Sequence, residues 1–255
     1  MAPTVAACQL AIADLSVETN AERVGDCVAE LADAVDVAVF PEQTLTGFVP
    51  DDRIVDAALP RDSEQVTGLQ SLADRRDTAL VVGFVEADGD DCYNATAYLD
   101  RDGGLTVYRK RHLWGGEREW LTPGEELVTV DTPVGEAGLL TCYDLNFVDD
   151  SAALAREEVT ALLVVGAWPA AYSENWRLLC RARALDGVRW VVAAGRTGER
   201  DVPDAPAATY AGRSLVARPD GGVHRALDRQ PGTLVAHLDP EMLATQRELI
   251  GVFSA

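Results

Sequence analysis

Lysine is nearly missing from this 255-residue sequence: of 22 basic side chains, Lys110 is the only lysine and the rest are arginines. Basic charge as a whole is also scarce, because 42 acidic residues bring the formal charge to −20. A polyanion of this size is repelled by nucleic acid and by anionic membrane surfaces, which argues against both as partners. The acids are scattered in pairs such as Asp51 and Asp52, Asp90 and Asp91, and Asp149 and Asp150, so they do not form a disordered acidic tail. Arginine in place of lysine, together with aspartate-rich turns, predicts an intracellular protein adapted to high salt, with an ordinary acidic enzyme as the plainer alternative. At about 1 M salt the Debye length is only ~3 Å, so such a chain would be screened there and self-repelling in dilute buffer.

Long apolar runs are absent too. The longest, Ala161 to Ala171, is far short of the ~20 residues a spanning helix needs, and Gly166 and Pro169 interrupt it. The first residues lack a basic flank before their apolar part, so no secretory leader is expected and the chain is expected to be cytoplasmic. Cysteines are few and odd in number, Cys8, Cys27, Cys92, Cys142 and Cys180, with no CxxC pair. That pattern supports neither a disulfide scaffold nor a zinc ribbon. His112, His224 and His237 have no acidic or cysteine partner at metal-ligand spacing, and no metal is expected. No low-complexity linker or fixed repeat divides the chain, so residues 1–255 read as one domain.

What is present is a succession of strand-like runs, at residues 4–12, 35–40, 78–85, 95–100, 105–110, 138–144, 160–167, 189–195, 214–219 and 233–239. Several are continuously apolar, as strands covered on both faces are. Between them lie helical patterns. In residues 17–35 the apolar positions Val17, Ala21, Val24, Val28, Leu31 and Val35 advance by four and three and form one stripe. Residues 62–76, 148–158, 173–186 and 240–249 are further predicted helices. Alternation of strand and helix, mixed with adjacent strand pairs such as ATAYLD and LTVYRK joined by RDGG, predicts an α/β protein with mixed sheets.

Three reactive side chains stand where apolar strands stop: Glu42 after VDVAVFP, Lys110 after LTVYR, and Cys142 after GLLT. Sites in open α/β sheets form at the carboxyl ends of strands, so these three can converge. Together they have a coherent chemistry, in which a carboxylate takes the thiol proton, the sulfur attacks a carbonyl, and the ammonium stabilises the oxyanion. Taken singly, each has a plainer reading. Cys142 would be a buried structural cysteine, Glu42 a solvated turn residue, and Lys110 a surface charge beside Arg109 and Arg111.

At these residues the sequence resembles the nitrilase superfamily of carbon-nitrogen hydrolases. VFPEQTLTGF resembles its glutamate motif, YRKRHLW its lysine motif and GLLTCYDLNF its cysteine motif, and flanking similarities extend over most of the chain. The resemblance implies a four-layer α-β-β-α sandwich with two mixed sheets, pairing as a homodimer or larger homo-oligomer. It implies that Glu42 is the general base, Lys110 the oxyanion-stabilising ammonium and Cys142 the nucleophile, with the Tyr143 backbone N–H as second oxyanion donor. Members of the family carry a second glutamate before a Pro-Gly; Glu117 fits that position, and Glu119 is a rival. The chain departs from the family pattern at Asn146, where an arginine is common, and at Val148 and Asp149, where Pro-Glu is common. This puts substrate details in question rather than the reaction type.

The implied reaction is hydrolysis of a non-peptide carbon–nitrogen bond through a cysteine thioester, with no cofactor. A small aliphatic or ω-amide is the first expectation for the substrate, and an N-carbamoyl compound or a nitrile the second. Trp114, Trp168, Tyr143 and Tyr172 are candidates to line the pocket, each of which also suits plain packing. A non-catalytic binding or assembly protein on the same fold is the alternative of another class.

Overall fold

The computed structural model describes residues 2–200 and 202–251. In chain order its strands are β1 (Thr4–Gln9), β2 (Val37–Val39), β3 (Ala79–Asp88), β4 (Asp91–Leu99), β5 (Leu105–Arg109), β6 (Thr129–Val130), β7 (Ala137–Thr141), β8 (Ala161–Gly166), β9 (Trp190–Gly195), β10 (Glu199–Arg200), β11 (Ala208–Thr209), β12 (Leu215–Ala217), β13 (Val223–Ala226) and β14 (Gly232–His237). The helices are α1 (Val17–Glu30), α2 (Arg53–Asp56), α3 (Glu64–Arg76), α4 (Glu117–Trp120), α5 (Val148–Arg156), α6 (Ser173–Asp186) and α7 (Pro240–Ile250).

Two six-stranded sheets result, in the orders β14-β1-β2-β3-β4-β5 and β13-β12-β9-β8-β7-β6, with β10 and β11 as a separate hairpin. Each sheet has three parallel strands at its centre and antiparallel strands outside them: β1, β2 and β3 in the first, β7, β8 and β9 in the second. The strand period of two separates the faces. Val5, Val37, Val39 and Val81 of the first sheet meet Leu139, Leu163, Val165 and Val192 of the second in one core between the sheets. The alternate residues Ala6, Ala38, Leu80 and Val82 face α1 and α3 through Val24, Val28, Val66 and Leu69. Leu140, Leu162, Val164 and Val191 face α5 and α6 through Leu154, Trp176 and Cys180. The result is a four-layer α-β-β-α sandwich of mixed sheets, held chiefly by apolar burial. Truncating Leu163, fully buried between the sheets, to alanine is expected to cost about 2–5 kcal/mol.

Several predicted boundaries shift. The helix expected over 17–35 stops at Glu30, because Leu31 turns to extended backbone (ψ 145°), while Val35 still reaches the same core from the following loop. The strand expected over 138–144 ends at Thr141, and Cys142 opens a 3-10 turn, Cys142–Asn146, with φ +49°. The hairpin read at RDGG is the β4–β5 pair, with Leu99 opposite Leu105.

Candidate active site

Glu42, Lys110 and Cys142 lie at the carboxyl ends of β2, β5 and β7. Elements of both sheets bring them together. The turn carrying Glu42 presses against β3 so closely that a Cβ on Gly83 would stand 2.4 Å from the Gln43 nitrogen and 2.8 Å from the Glu42 Cα, so only glycine fits there. Lys110 is held by its backbone, whose N–H donates to the Asn94 carbonyl (2.8 Å) and whose carbonyl accepts from the Gly124 N–H (2.8 Å). Cys142 has left-handed backbone, a sparsely populated state for a residue with a Cβ that aims its side chain out of the strand direction.

The Lys110 ammonium donates to Glu42 Oε1 at 2.7 Å and to Glu117 Oε2 at 2.8 Å. Lys110 is 1% exposed, Glu42 0% and Glu117 5%. Asn94, on β4, donates its amide to both carboxylates, at 2.8 Å to Glu42 Oε1 and 2.6 Å to Glu117 Oε1. The Ala167 N–H, just beyond β8, donates to Glu42 Oε2 (2.8 Å), and the Trp114 N–H to Glu117 Oε2 (2.7 Å). Every carboxylate oxygen therefore has a donor, which is the condition under which buried charges are tolerated. Glu117 occupies the position beside Lys110; Glu119 is exposed.

The electrostatics follow from burial. Burial alone would lower the Lys110 pKa, but the charges of Glu117 and Glu42 outweigh it and hold the ammonium well above its ordinary value. Burial pushes the Glu117 carboxyl up, against the pull of Lys110. The Cys142 thiol, close enough to Glu42 to feel its charge, is pushed well above the usual thiol range, first by burial and then by that charge, with Lys110 and the Ala167 N–H opposing. The resting sulfur beside Glu42 is thus a thiol. Such an arrangement moves its proton as the sulfur attacks, and needs no preformed thiolate.

A cavity of ≈ 190 Å³ lies over this array. Tyr143, Trp114, Trp168 and Tyr172 all line it, along with Lys110 and Cys142. Trp168 is buried and its Nε1 has no hydrogen-bond partner among the described residues, whereas Trp114 and Tyr172 are 45% and 58% exposed.

Sequence reasoning missed two residues here. Asn94 bridges the two carboxylates; its signal was an amide in the otherwise apolar ATAYL strand region, on the same face as Thr96 and Tyr98 by the period of two. Asp144, fully buried, accepts from the Thr141 N–H (3.0 Å), the His112 N–H (3.0 Å) and the Tyr108 hydroxyl (2.7 Å). It ties the turn that carries Cys142 to the segment that carries Lys110. Burial raises its pKa to about 6, with Lys110 and these donors opposing. His112, read as partnerless, in fact has its Nε2 2.9 Å from Asp150 Oδ2 and its ring stacked on Phe147 at 3.4 Å. The fold, not sequence spacing, brings them together. His112, Asp144 and Asp150 group their ligand atoms within 4.8 Å. Asp150 is already paired with Arg111 and His112, and Asp144 with three donors, so the group reads as charge pairing rather than a metal site.

Comparison with known proteins agrees along the whole fold. The carbon-nitrogen hydrolase family model matches residues 4–248. An (R)-stereoselective amidase of a Pseudomonas species is 31% identical over 239 residues, covering 94% of this chain and 86% of that protein. The crystal structure of Saccharomyces cerevisiae Nit3, a member of branch 10 of the nitrilase superfamily, is similar at TM-score 0.87 and 27% identity, covering 98% of this chain and 95% of the other. A CN-hydrolase superfamily protein of Xanthomonas campestris has the same fold at TM-score 0.89 and 24% identity, covering 98% and 96% of the two chains.

Proposed function

The chain belongs to the carbon-nitrogen hydrolase family and is an enzyme of that class, and from that premise we propose that it hydrolyses a small aliphatic or ω-amide to a carboxylic acid and ammonia through a thioester on Cys142. The observation that carries this reading is the buried Glu42–Lys110–Glu117 array with Cys142 and Lys110 lining one cavity beside it.

In the first step the Cys142 sulfur attacks the amide carbon while its proton passes to Glu42. The carbonyl oxygen becomes an oxyanion beside the Lys110 ammonium, with the Tyr143 N–H as second donor, since the first N–H groups of a helical turn lack partners within it. Glu42 then returns the proton to the departing nitrogen, and ammonia leaves. Water enters, gives a proton to Glu42 and attacks the thioester carbon; the acid leaves and the thiol regains its proton. Glu117 keeps the ammonium in place through both steps and polarises the hydrolytic water. Ammonia is the leaving group in this account, so the test is its release from a panel of small amides, N-carbamoyl compounds and nitriles. The wild type is expected to release it from amides and Cys142→Ala from none; release by the alanine variant at the wild-type rate would overturn the proposal.

A further inference from the structure

The cavity over Cys142 adjoins a larger one of ≈ 670 Å³, and the two share Phe48, Trp114, Ala167 and Pro169 as walls. A substrate whose amide reaches the thiol can therefore extend into the outer space. That outer space has an unusual lining for this protein. Although the chain has 42 acidic residues against 22 basic ones, the described residues around the outer cavity include two arginines, Arg200 and Arg229, and no acid.

Neither arginine is neutralised by a carboxylate among the described residues. Arg200 donates to the carbonyls of Pro206 (2.6 and 2.9 Å) and Phe48 (3.2 Å), and Arg229 to that of Ala170 (3.3 Å). These carbonyls fix the Arg200 guanidinium and touch that of Arg229, an exposed residue, without cancelling either charge. Asp51, whose charge is felt at Arg200, is already held in a fork by Arg53, at 2.8 and 2.7 Å.

Tyr210 supplies an independent third group. It lines the same cavity, is 4% exposed, and its buried hydroxyl has no hydrogen-bond partner among the described residues. Its ring is held by Arg196, whose guanidinium lies 3.9 Å from the ring centroid and is itself fixed by two 2.7 Å bonds to Asp14. An unpaired buried hydroxyl is costly unless something completes it. Two guanidinium groups and a buried hydroxyl, none with a carboxylate partner among the described residues, in one apolar-walled cleft make a receptor for an anion, and the planar guanidinium fork matches a carboxylate.

We propose that the outer cavity binds the far end of the substrate, and that Arg200, Arg229 and Tyr210 select amides whose distal end carries a carboxylate. This rests on the amide-hydrolase reading above and narrows it. The amide end meets Lys110, Cys142 and the small cavity, while the carboxylate end lies against the arginines.

The test compares straight-chain dicarboxylic acid monoamides of increasing length with neutral amides of matched length, at one fixed ionic strength. At the best length kcat/KM is expected to favour the carboxylate-tailed amide by at least about tenfold, the preference that one or two charge-assisted hydrogen bonds supply. In Arg229→Gln and Arg200→Gln the ratio of the two kcat/KM values is expected to fall toward one, through KM, with Arg229→Lys retaining part of it. Tyr210→Phe is expected to lower the ratio by a smaller factor. Hydrolysis of neutral amides with no preference for the tailed ones would overturn the proposal and leave the hydrolase reading standing. If no amide of either series is turned over, calorimetric binding to Cys142→Ala decides separately: selective binding of the tailed amides supports the arginine subsite, and equal or no binding overturns it.

Discussion

The ammonium of Lys110 is clamped between two buried carboxylates, 2.7 Å from Glu42 and 2.8 Å from Glu117. The gap accommodates one compact cation. This explains why a chain that otherwise uses arginine keeps one lysine, since a guanidinium is wider and needs a planar fork of space. Lys110→Arg is therefore expected to lose at least about 100-fold in kcat/KM despite its conserved charge, the effect of losing one oxyanion donor. Lys110→Met leaves two carboxylates without their cation, and a denaturant melt is expected to show a loss of about 3–5 kcal/mol. Activity of Lys110→Arg near the wild-type level would contradict this assignment.

Glu117 and Glu119 are two residues apart, yet only Glu117 touches Lys110, Asn94 and the Trp114 N–H. Glu117→Gln removes a charge from the array and is expected to lower kcat by at least about tenfold. Glu119→Gln alters an exposed side chain and is expected to stay within about twofold, with stability within ±0.5 kcal/mol. Steady-state kinetics of the two variants, side by side, decides between them.

Asp144 makes a pH-dependent contribution of definite sign. Its carboxyl is raised from 3.8 to about 6 in the folded protein, chiefly by burial, so the folded state holds this proton more tightly than the unfolded chain does. The stability it contributes is fully present below about pH 4 and is lost as pH rises through about 6. Relative to Asp144→Asn, the wild type is expected to lose about 3 kcal/mol across that window and to change little outside it. Paired denaturant melts at a series of pH values measure the difference; a flat difference between pH 4 and 6 would refute it.

We propose that the formal charge of −20 makes folding salt-dependent. Raising KCl from dilute buffer to about 1 M shortens the Debye length to ~3 Å, and the melting temperature is expected to rise with it. An unchanged melting curve after dialysis into dilute buffer would set this aside.

Much of this architecture could be read in the sequence because the parallel central strands are covered on both faces and so carry unbroken apolar runs; Ala161–Gly166 and Trp190–Gly195 are examples. The short edge and hairpin strands β6, β10, β11 and β13, of two to four residues, are too brief and too polar to produce any period. Glu42, Lys110 and Cys142 stood out because each ends an apolar strand. Asn94 did not, since it lies inside a strand and gains its meaning only from Glu42 and Glu117 across the fold. Asp144 was hidden for a related reason. Its partners Tyr108 and His112 are 36 and 32 residues away, and nothing in the local sequence marks an aspartate after a cysteine as the tie between two loops. Arg200 and Arg229 resemble any other arginine until the cavity between them is seen.

The central claim, that Cys142 carries the acyl group during turnover, is tested most directly by quenching the reaction with acid during steady-state hydrolysis of a small amide and mapping the protein by mass spectrometry. The account predicts a thioester of the substrate's acyl group on the Cys142 peptide, absent from the peptides of Cys8, Cys27, Cys92 and Cys180, and accumulating further in Glu117→Gln if hydrolysis of the thioester is the step that variant slows. Ammonia release at the wild-type rate from an enzyme with Cys142 replaced by alanine, or an acyl group found on another residue, would contradict it.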